Sequence, residues 1–263
     1  MIIIGGAEDK TGESVILKHA AEMLSESDAL TVITTATLKP KDAGETYKNV
    51  FNKLGIKKIN VLHIDTRENA NDVSICKTIE KSKCVFFTGG DQLRITSILG
   101  GTEAEKQLKE VYNSGGIIMG TSAGASVMSS TMIVTGIDNE PARKCTLKMA
   151  PGLALLENCI IDQHFDQRGR LGRLLCGIAE NPGALGIGID EDTAIKVYPD
   201  LHFEVLGSNA VTVIDGRAIE SSNVSELKPD ELLAIMGVKA HILPANYGYD
   251  MEKNKALRLK KNI

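Results

Sequence analysis

The residues with the strongest chemical signature are Gly120-Thr121-Ser122-Ala123-Gly124, which directly follow the apolar run Gly116-Ile117-Ile118-Met119. A short buried strand that ends in G-x-S-x-G and opens into Ala125, Ser126, Val127 and Met128 has the pattern of a nucleophile elbow. The chain turns sharply from strand to helix and presents the serine hydroxyl at the corner. Glycines suit that corner because a bulkier side chain on either side would clash. The following helix would aim its N-terminus at the site and favour developing negative charge. The chemistry suggested is acyl transfer through Ser122. The bland alternative is a glycine-rich turn around a buried serine.

A serine hydroxyl needs a base to become nucleophilic near neutral pH, and the base needs an orienting group. Of the five histidines, His19 lies in an early helix, His63 at a strand end, His202 in a turn and His241 in the C-terminal segment. His164 differs. It sits in Asp162-Gln163-His164-Phe165-Asp166-Gln167-Arg168-Gly169-Arg170-Leu171-Gly172-Arg173, just past an apolar strand. The orienting acid should come from another strand end, and Gly186-Ile187-Gly188-Ile189 runs into Asp190, Glu191 and Asp192. Any of the three could be the partner, or the run is an acidic turn of solvated charges. Strand alternation sends Asp190 and Glu191 to opposite sides, so only one of those two would face the site. The oxyanion donors expected are the backbone N–H of Ala123 and one from Gly89-Gly90, with Gly90 as the candidate. Each such donor lowers the barrier by roughly 3 kcal/mol.

Arg168, Arg170 and Arg173 form a basic cluster in an otherwise acidic chain. Guanidinium forks match carboxylates, so the cluster beside His164 points to an acidic substrate. An Asp-x-His metal pair at Asp162 and His164 lacks further ligands, and no metal or other cofactor is expected. Gly5-Gly6 and Gly89-Gly90 as phosphate loops give a rival reading, a nucleotide- or phosphate-binding module. Neither run has G-x-G-x-x-G or Walker spacing. Nucleic acid is not an expected partner: the formal net charge is -4 and no aromatics are interleaved with the arginines.

These groups need a frame. Strands are expected over 1–4, 30–33, 59–64, 84–88 and 116–119, with helical stretches over 14–25, 43–54, 71–81, 92–99 and 103–112 between them. Alternating strands and helices give right-handed crossovers and a mostly parallel α/β sheet with helices on both faces. Ligands in such sheets bind beyond the carboxyl ends of the strands, where Gly5-Gly6, Thr88-Gly89-Gly90-Asp91 and Gly120-Thr121-Ser122 should converge on one rim. The second half reads as strands over 158–163 and 184–189 around a helix near 170–179. Short segments at 193–197, 203–206 and 210–214 then read as an antiparallel extension on the sheet edge. No linker, repeat or low-complexity tract divides the chain, so residues 1–263 read as one domain. The basic tail Lys253 to Lys261 reads as solvated.

Composition fits a globular protein, with 43% hydrophobic and 24% charged residues among 263. No apolar run approaches the ~20 residues of a membrane span. Met1-Ile2-Ile3-Ile4-Gly5-Gly6 lacks the positive region and cleavage site of a signal peptide, so a cytoplasmic location is expected. Cys76, Cys84, Cys145, Cys159 and Cys176 are odd in number and show no C-x-x-C spacing, which suggests neither zinc nor a disulfide framework.

Five motifs taken in order resemble the cyanophycinase family: Gly5-Gly6-Ala7-Glu8-Asp9-Lys10, Thr88-Gly89-Gly90-Asp91-Gln92, Gly120-Thr121-Ser122-Ala123-Gly124-Ala125, Asp162-Gln163-His164-Phe165 with its arginines, and Gly188-Ile189-Asp190-Glu191. The resemblance covers about residues 1–215. It implies a serine-type exopeptidase related in fold to class I glutamine amidotransferases. The implied substrate is cyanophycin, a poly-aspartate bearing arginine on each side-chain carboxylate, cut to β-aspartyl-arginine. The same resemblance implies Ser122 as nucleophile, His164 as base and Glu191 as acid. It also implies Gln92, Asp162, Gln163, Arg168, Arg170 and Arg173 as substrate-binding residues, a homodimer, and no metal. The chain order Ser, His, Glu differs from α/β-hydrolases, in which the acid precedes the histidine. An α-aspartyl dipeptidase of the same broad superfamily is the enzymatic alternative.

Overall fold

The first half of the chain builds the frame that carries the serine. The computed structural model describes residues 1–144 and 146–259. Five parallel strands form its centre: β1 (Ile2–Ile4), β2 (Ala29–Ile33), β3 (Lys58–Leu62), β4 (Cys84–Phe87) and β5 (Ile117–Thr121), in the spatial order β1-β5-β4-β2-β3. Between them run α1 (Val15–Glu22), α2 (Pro40–Lys53), α3 (Val73–Glu80), α4 (Gln92–Leu99) and α5 (Glu103–Asn113). The central strands are apolar on both sides because both faces are covered. Ile2, Ile4, Cys84, Phe86, Ile117 and Met119 meet α1 and α2 through Leu17, Ala20, Tyr47 and Phe51. Ile3, Val85, Phe87 and Ile118 point the other way, into a core with Ile79, Ile95, Leu99 and Leu108 from the helices α3 to α5. The period of two along each strand thus feeds two separate cores.

The second half extends this sheet and adds another. After the single-turn α6 (Ala123–Ser126) come β6 (Thr131–Gly136), β7 (Leu147–Pro151), β8 (Cys159–Gln163), α7 (Leu171–Glu180), β9 (Leu185–Ile189), β10 (Thr193–Val197), β11 (His202–Gly207) and β12 (Ala210–Asp215). The short pair β13 (Ser221–Ser222) and β14 (Ile235–Met236) follows, then β15 (Lys239–Pro244), β16 (Tyr247–Asp250) and β17 (Lys255–Arg258). β10, β11, β16 and β17 continue the main sheet antiparallel from β1, giving nine strands in all. β8, β9, β12 and β15 form a separate four-stranded sheet.

Three expectations change here. The segment at 210–214 does not extend the main sheet; Val211 pairs with Ile189, which places β12 in the second sheet. The tail is not wholly solvated, because Lys255–Arg258 pairs with β16 and half-buries Ala256 and Leu257; Lys260 and Lys261 lie outside the described residues. The β6–β7 hairpin and the strands β13 to β17 were not anticipated. Cys76, Cys84, Cys159 and Cys176 are unbridged and buried, and Cys145 lies outside the described residues. Among the described residues no helix is long and apolar enough to cross a membrane.

Candidate active site

Because β5 lies between β1 and β4, the carboxyl ends of all three strands meet at one place. Ser122 follows β5 there, with φ 54° and ψ -111°, a conformation that a non-glycine residue holds only when its surroundings fix it. Its own N–H donates to the Ile4 carbonyl at 3.0 Å, tying the corner to β1. The flanking glycines allow the turn to close. A Cβ on Gly120 would stand 2.3 Å from the Gly124 carbonyl oxygen, and one on Gly124 would stand 2.6 Å from that of Phe87. The helix beyond the corner, expected to aim its N-terminus at the serine, is only Ala123–Ser126, a single turn that offers individual N–H groups in place of a sizeable dipole.

Ser122 Oγ lies 2.9 Å from His164 Nε2, and His164 Nδ1 lies 2.6 Å from Glu191 Oε1. The imidazole is thus hydrogen-bonded on both nitrogens, to a hydroxyl and to a carboxylate. His164 immediately follows β8 with φ 48°, and its N–H donates to the Gly5 carbonyl at 2.8 Å. Burial pushes the imidazole pKa below its ordinary value. Glu191 acts against the shift, while the charges of Arg168 and Arg170 add to it. The ring is therefore neutral, and able to accept a proton, over a wider range than a free histidine.

Glu191 follows β9, and alternation separates it from its neighbour as anticipated. Asp190 is buried and accepts from the backbone N–H groups of Asp166, at 3.0 Å, and Ala210, at 3.1 Å. That carboxylate pins the loop after His164 to β12, and burial raises its pKa. Asp192 accepts from the N–H of Asp9 at 2.9 Å.

The loop expected to supply a second oxyanion donor passes against the serine. A Cβ on Gly89 would lie 3.3 Å from Ser122 Cβ, an approach that a larger residue would crowd. Neither Gly90 N–H nor Ala123 N–H donates a hydrogen bond among the described residues. Gln92 begins α4 and donates through Nε2 to the carbonyls of Ile133 and Val134, at 2.9 and 2.8 Å.

The three arginines separate. Arg173 is buried with a forked pair of hydrogen bonds to Asp162 and one at 3.3 Å to Asp138. Arg170 is buried too, bonded to Asp138 Oδ1 at 2.9 Å and to Gln163 Oε1 at 3.0 Å. A cleft lined by all three guanidiniums is not what forms. Arg170, Arg173, Asp138 and Asp162 neutralise one another, and Arg168 alone of the three is exposed. Among the described residues no carboxylate lies within ion-pair distance of Arg168.

Sequence reasoning missed two partners of these groups. Asp138, in a turn far along the chain from its arginines, had no local signal. Gln167 accepts from the N–H of Glu191 at 2.8 Å through its side-chain oxygen, and its place three residues after His164 was a usable clue. The other histidines stand elsewhere: His63 bonds Thr34 at 2.7 Å, and His202 bonds Asp200 at 2.6 Å. Burial pushes the Cys84 and Cys159 thiols up to about 12, which leaves them inert as nucleophiles.

A serine, a histidine and a carboxylate in hydrogen-bonded sequence at the rim of a parallel sheet have the geometry of hydrolytic acyl transfer, and the chain is a serine-type peptidase. It belongs to peptidase family S51, whose family model matches residues 1–203. A cyanophycinase of Geminocystis herdmanii is 34% identical over 259 residues, covering 98% of this chain and 95% of that one. A cyanophycinase of Trichormus variabilis is 36% identical over 250 residues, covering 94% and 83%. The crystal structure of a peptidase from an acI-B1 actinobacterium superposes with a TM-score of 0.62 at 22% identity, covering 89% of this chain and 88% of that one, a likeness of fold.

Proposed function

We propose that this protein is a serine exopeptidase that degrades cyanophycin to β-aspartyl-arginine through an acyl-enzyme on Ser122. The observation that carries the reading is the continuous hydrogen-bond chain from Ser122 through His164 to Glu191. In the first half-reaction His164 Nε2 removes the Ser122 proton as Oγ attacks the scissile carbonyl. The imidazolium formed is held and stabilised by Glu191. The tetrahedral oxyanion is met by the N–H groups of Ala123 and Gly90. His164 then returns the proton to the leaving amine, and water repeats the sequence to release the acyl group.

Each repeat of the substrate offers a free carboxylate, that of its arginine. Arg168, exposed and beside His164, is the guanidinium available to receive it. Arg170 and Arg173 serve differently: they fix Gln163 and Asp162 at the end of β8, and Gln92 ties α4 to β6. The family likeness also carries dimerisation and a cytoplasmic location, which sedimentation velocity and cell fractionation test.

The deciding assay offers the purified protein cyanophycin and, separately, Asp-X dipeptides. Release of β-aspartyl-arginine from the polymer is expected. Inactivity on polymer with robust cleavage of Asp-X would reassign it as an α-aspartyl dipeptidase.

A further inference from the structure

Glu8 has a side chain 1% exposed, yet the acyl-transfer steps above do not use it. Its carboxylate gathers three donors. Thr121 Oγ1 donates to Oε2, while the Tyr47 hydroxyl, at 2.5 Å, and the Lys10 ammonium, at 2.9 Å, reach Oε1. A carboxylate so deeply buried is costly unless it is fully hydrogen-bonded, and this one is. Burial, reinforced by Glu8 itself, pushes the Tyr47 phenol well above its ordinary pKa, so that hydroxyl remains a donor. Tyr47 is in turn fixed against Phe86, with ring centroids 4.6 Å apart.

The place of these contacts matters more than their number. Thr121 is the last residue of β5 and directly precedes Ser122. The segment bearing Glu8 also touches the rest of the site. Gly5 accepts from His164 N–H at 2.8 Å, Gly6 accepts from Asp192 N–H at 2.9 Å, and Asp9 donates its N–H to Asp192 at 2.9 Å. One short loop therefore contacts the nucleophile's strand, the base and the acid's loop, and Glu8 is its link to the nucleophile.

We propose that Glu8 is a positioning residue, whose buried carboxylate holds Thr121 and hence Ser122 in register with His164. The inference rests on Ser122 being the nucleophile. The side-chain partners of Glu8 are Thr121, Tyr47 and Lys10 and not the imidazole, so it acts on the site through the strand that carries Ser122.

The test is the rate at which a fluorophosphonate modifies Ser122, read by mass spectrometry, together with kcat and KM on cyanophycin. Wild type, Glu8→Ala, Glu8→Gln, Thr121→Val and the Glu8→Ala/Thr121→Val pair are compared. A displacement near 1 Å can cost about 100-fold, so Glu8→Ala should lower the modification rate and kcat by about that factor with KM little changed. Glu8→Gln, which can still accept from Tyr47 and bond Thr121, should recover a large part of the rate. The double variant should be no slower than the slower single one. The acid limb of the pH–rate profile should stay in place. Folded Glu8 variants that react at the wild-type rate, or that change only KM or only thermal stability, would overturn the proposal. If Glu8→Ala does not fold, Thr121→Val decides: a loss of about 10-fold supports it and an unchanged rate ends it. Failure of the wild type to be modified at Ser122 would instead remove the acyl-enzyme reading.

Discussion

The imidazole of His164 stands against the backbone of Gly6: a Cβ on Gly6 would lie 2.3 Å from the ring carbon Cε1 and 2.5 Å from Nε2, the atom that faces Ser122. Gly6 also has φ +103°, which side chains of L-residues rarely adopt. The His164 ring is thus seated in a space that exists only because residue 6 has no side chain.

Gly6→Ala should therefore displace the ring or the loop and break the Ser122–His164 bond. A fall in kcat of about 100-fold or more is expected, since reacting atoms displaced by about 1 Å lose that much. Steady-state kinetics check it, with thermal unfolding to confirm a folded variant. Wild-type kcat in the alanine variant would mean that the ring is not held at this position.

The two neighbouring carboxylates should separate cleanly. Glu191→Gln disturbs the tautomer and charge of His164 and should reduce kcat by about 10³- to 10⁴-fold, with stability near wild type. Asp190→Asn keeps one acceptor oxygen and replaces the other by an NH2 that cannot accept, so one of the two bonds from the Asp166 and Ala210 N–H groups is lost. It should cost about 1–3 kcal/mol of stability with a much smaller loss of kcat. Parallel kinetics and denaturant unfolding read both. Equal kinetic effects would leave the orienting role unassigned.

The arginines separate in the same way. Arg173→Ala leaves Asp162 as a buried carboxylate without its main partner and should destabilise the fold by about 3–5 kcal/mol. Arg168→Ala breaks no ion pair and should leave the melting temperature within error, while raising KM for cyanophycin. Calorimetry and kinetics together check this. A large stability loss at Arg168 with no change in KM would argue against its substrate role.

The pH dependence follows from the His164 environment. The proposed base must be neutral to accept a proton, and burial with Arg168 and Arg170 nearby lowers the His164 pKa. Activity should therefore rise with pH through a midpoint below the ordinary histidine value, and kcat/KM should be nearly flat by neutrality. Removing the Arg168 charge relieves one lowering influence, so Arg168→Gln should move that limb to higher pH. A limb that moves to lower pH would contradict the assignment.

What could be read in the sequence was local. The G-x-S-x-G corner, the apolar strands ending in glycine and the alternation separating Asp190 from Glu191 depend on neighbours in the chain, and so does the expectation that β1, β4 and β5 end at one rim. What stayed hidden depends on distant partners. Asp138 meets Arg170 and Arg173 only after β6 and α7 pack, and its charge was indistinguishable from a solvated turn. Three arginines in a row of polar residues looked like one binding surface, yet two lie buried at the start of α7 in an ion-pair cluster. The hairpin of Thr131–Gly136 and Leu147–Pro151 is mostly half-exposed, so it lacks the continuous apolar signal that marked the central strands. Glu8 was visible within a motif, but its burial against Thr121 and Tyr47 appears only when β1, β5 and α2 come together.

The most direct measurement is intact-protein and peptide mass spectrometry after treatment with a fluorophosphonate, alongside cyanophycin turnover by Ser122→Ala. A single adduct on Ser122, no adduct in the alanine variant, and turnover reduced by about 10⁴-fold or more with the fold intact are expected. An unmodified Ser122 together with near-wild-type turnover by Ser122→Ala would contradict nucleophilic catalysis by this serine.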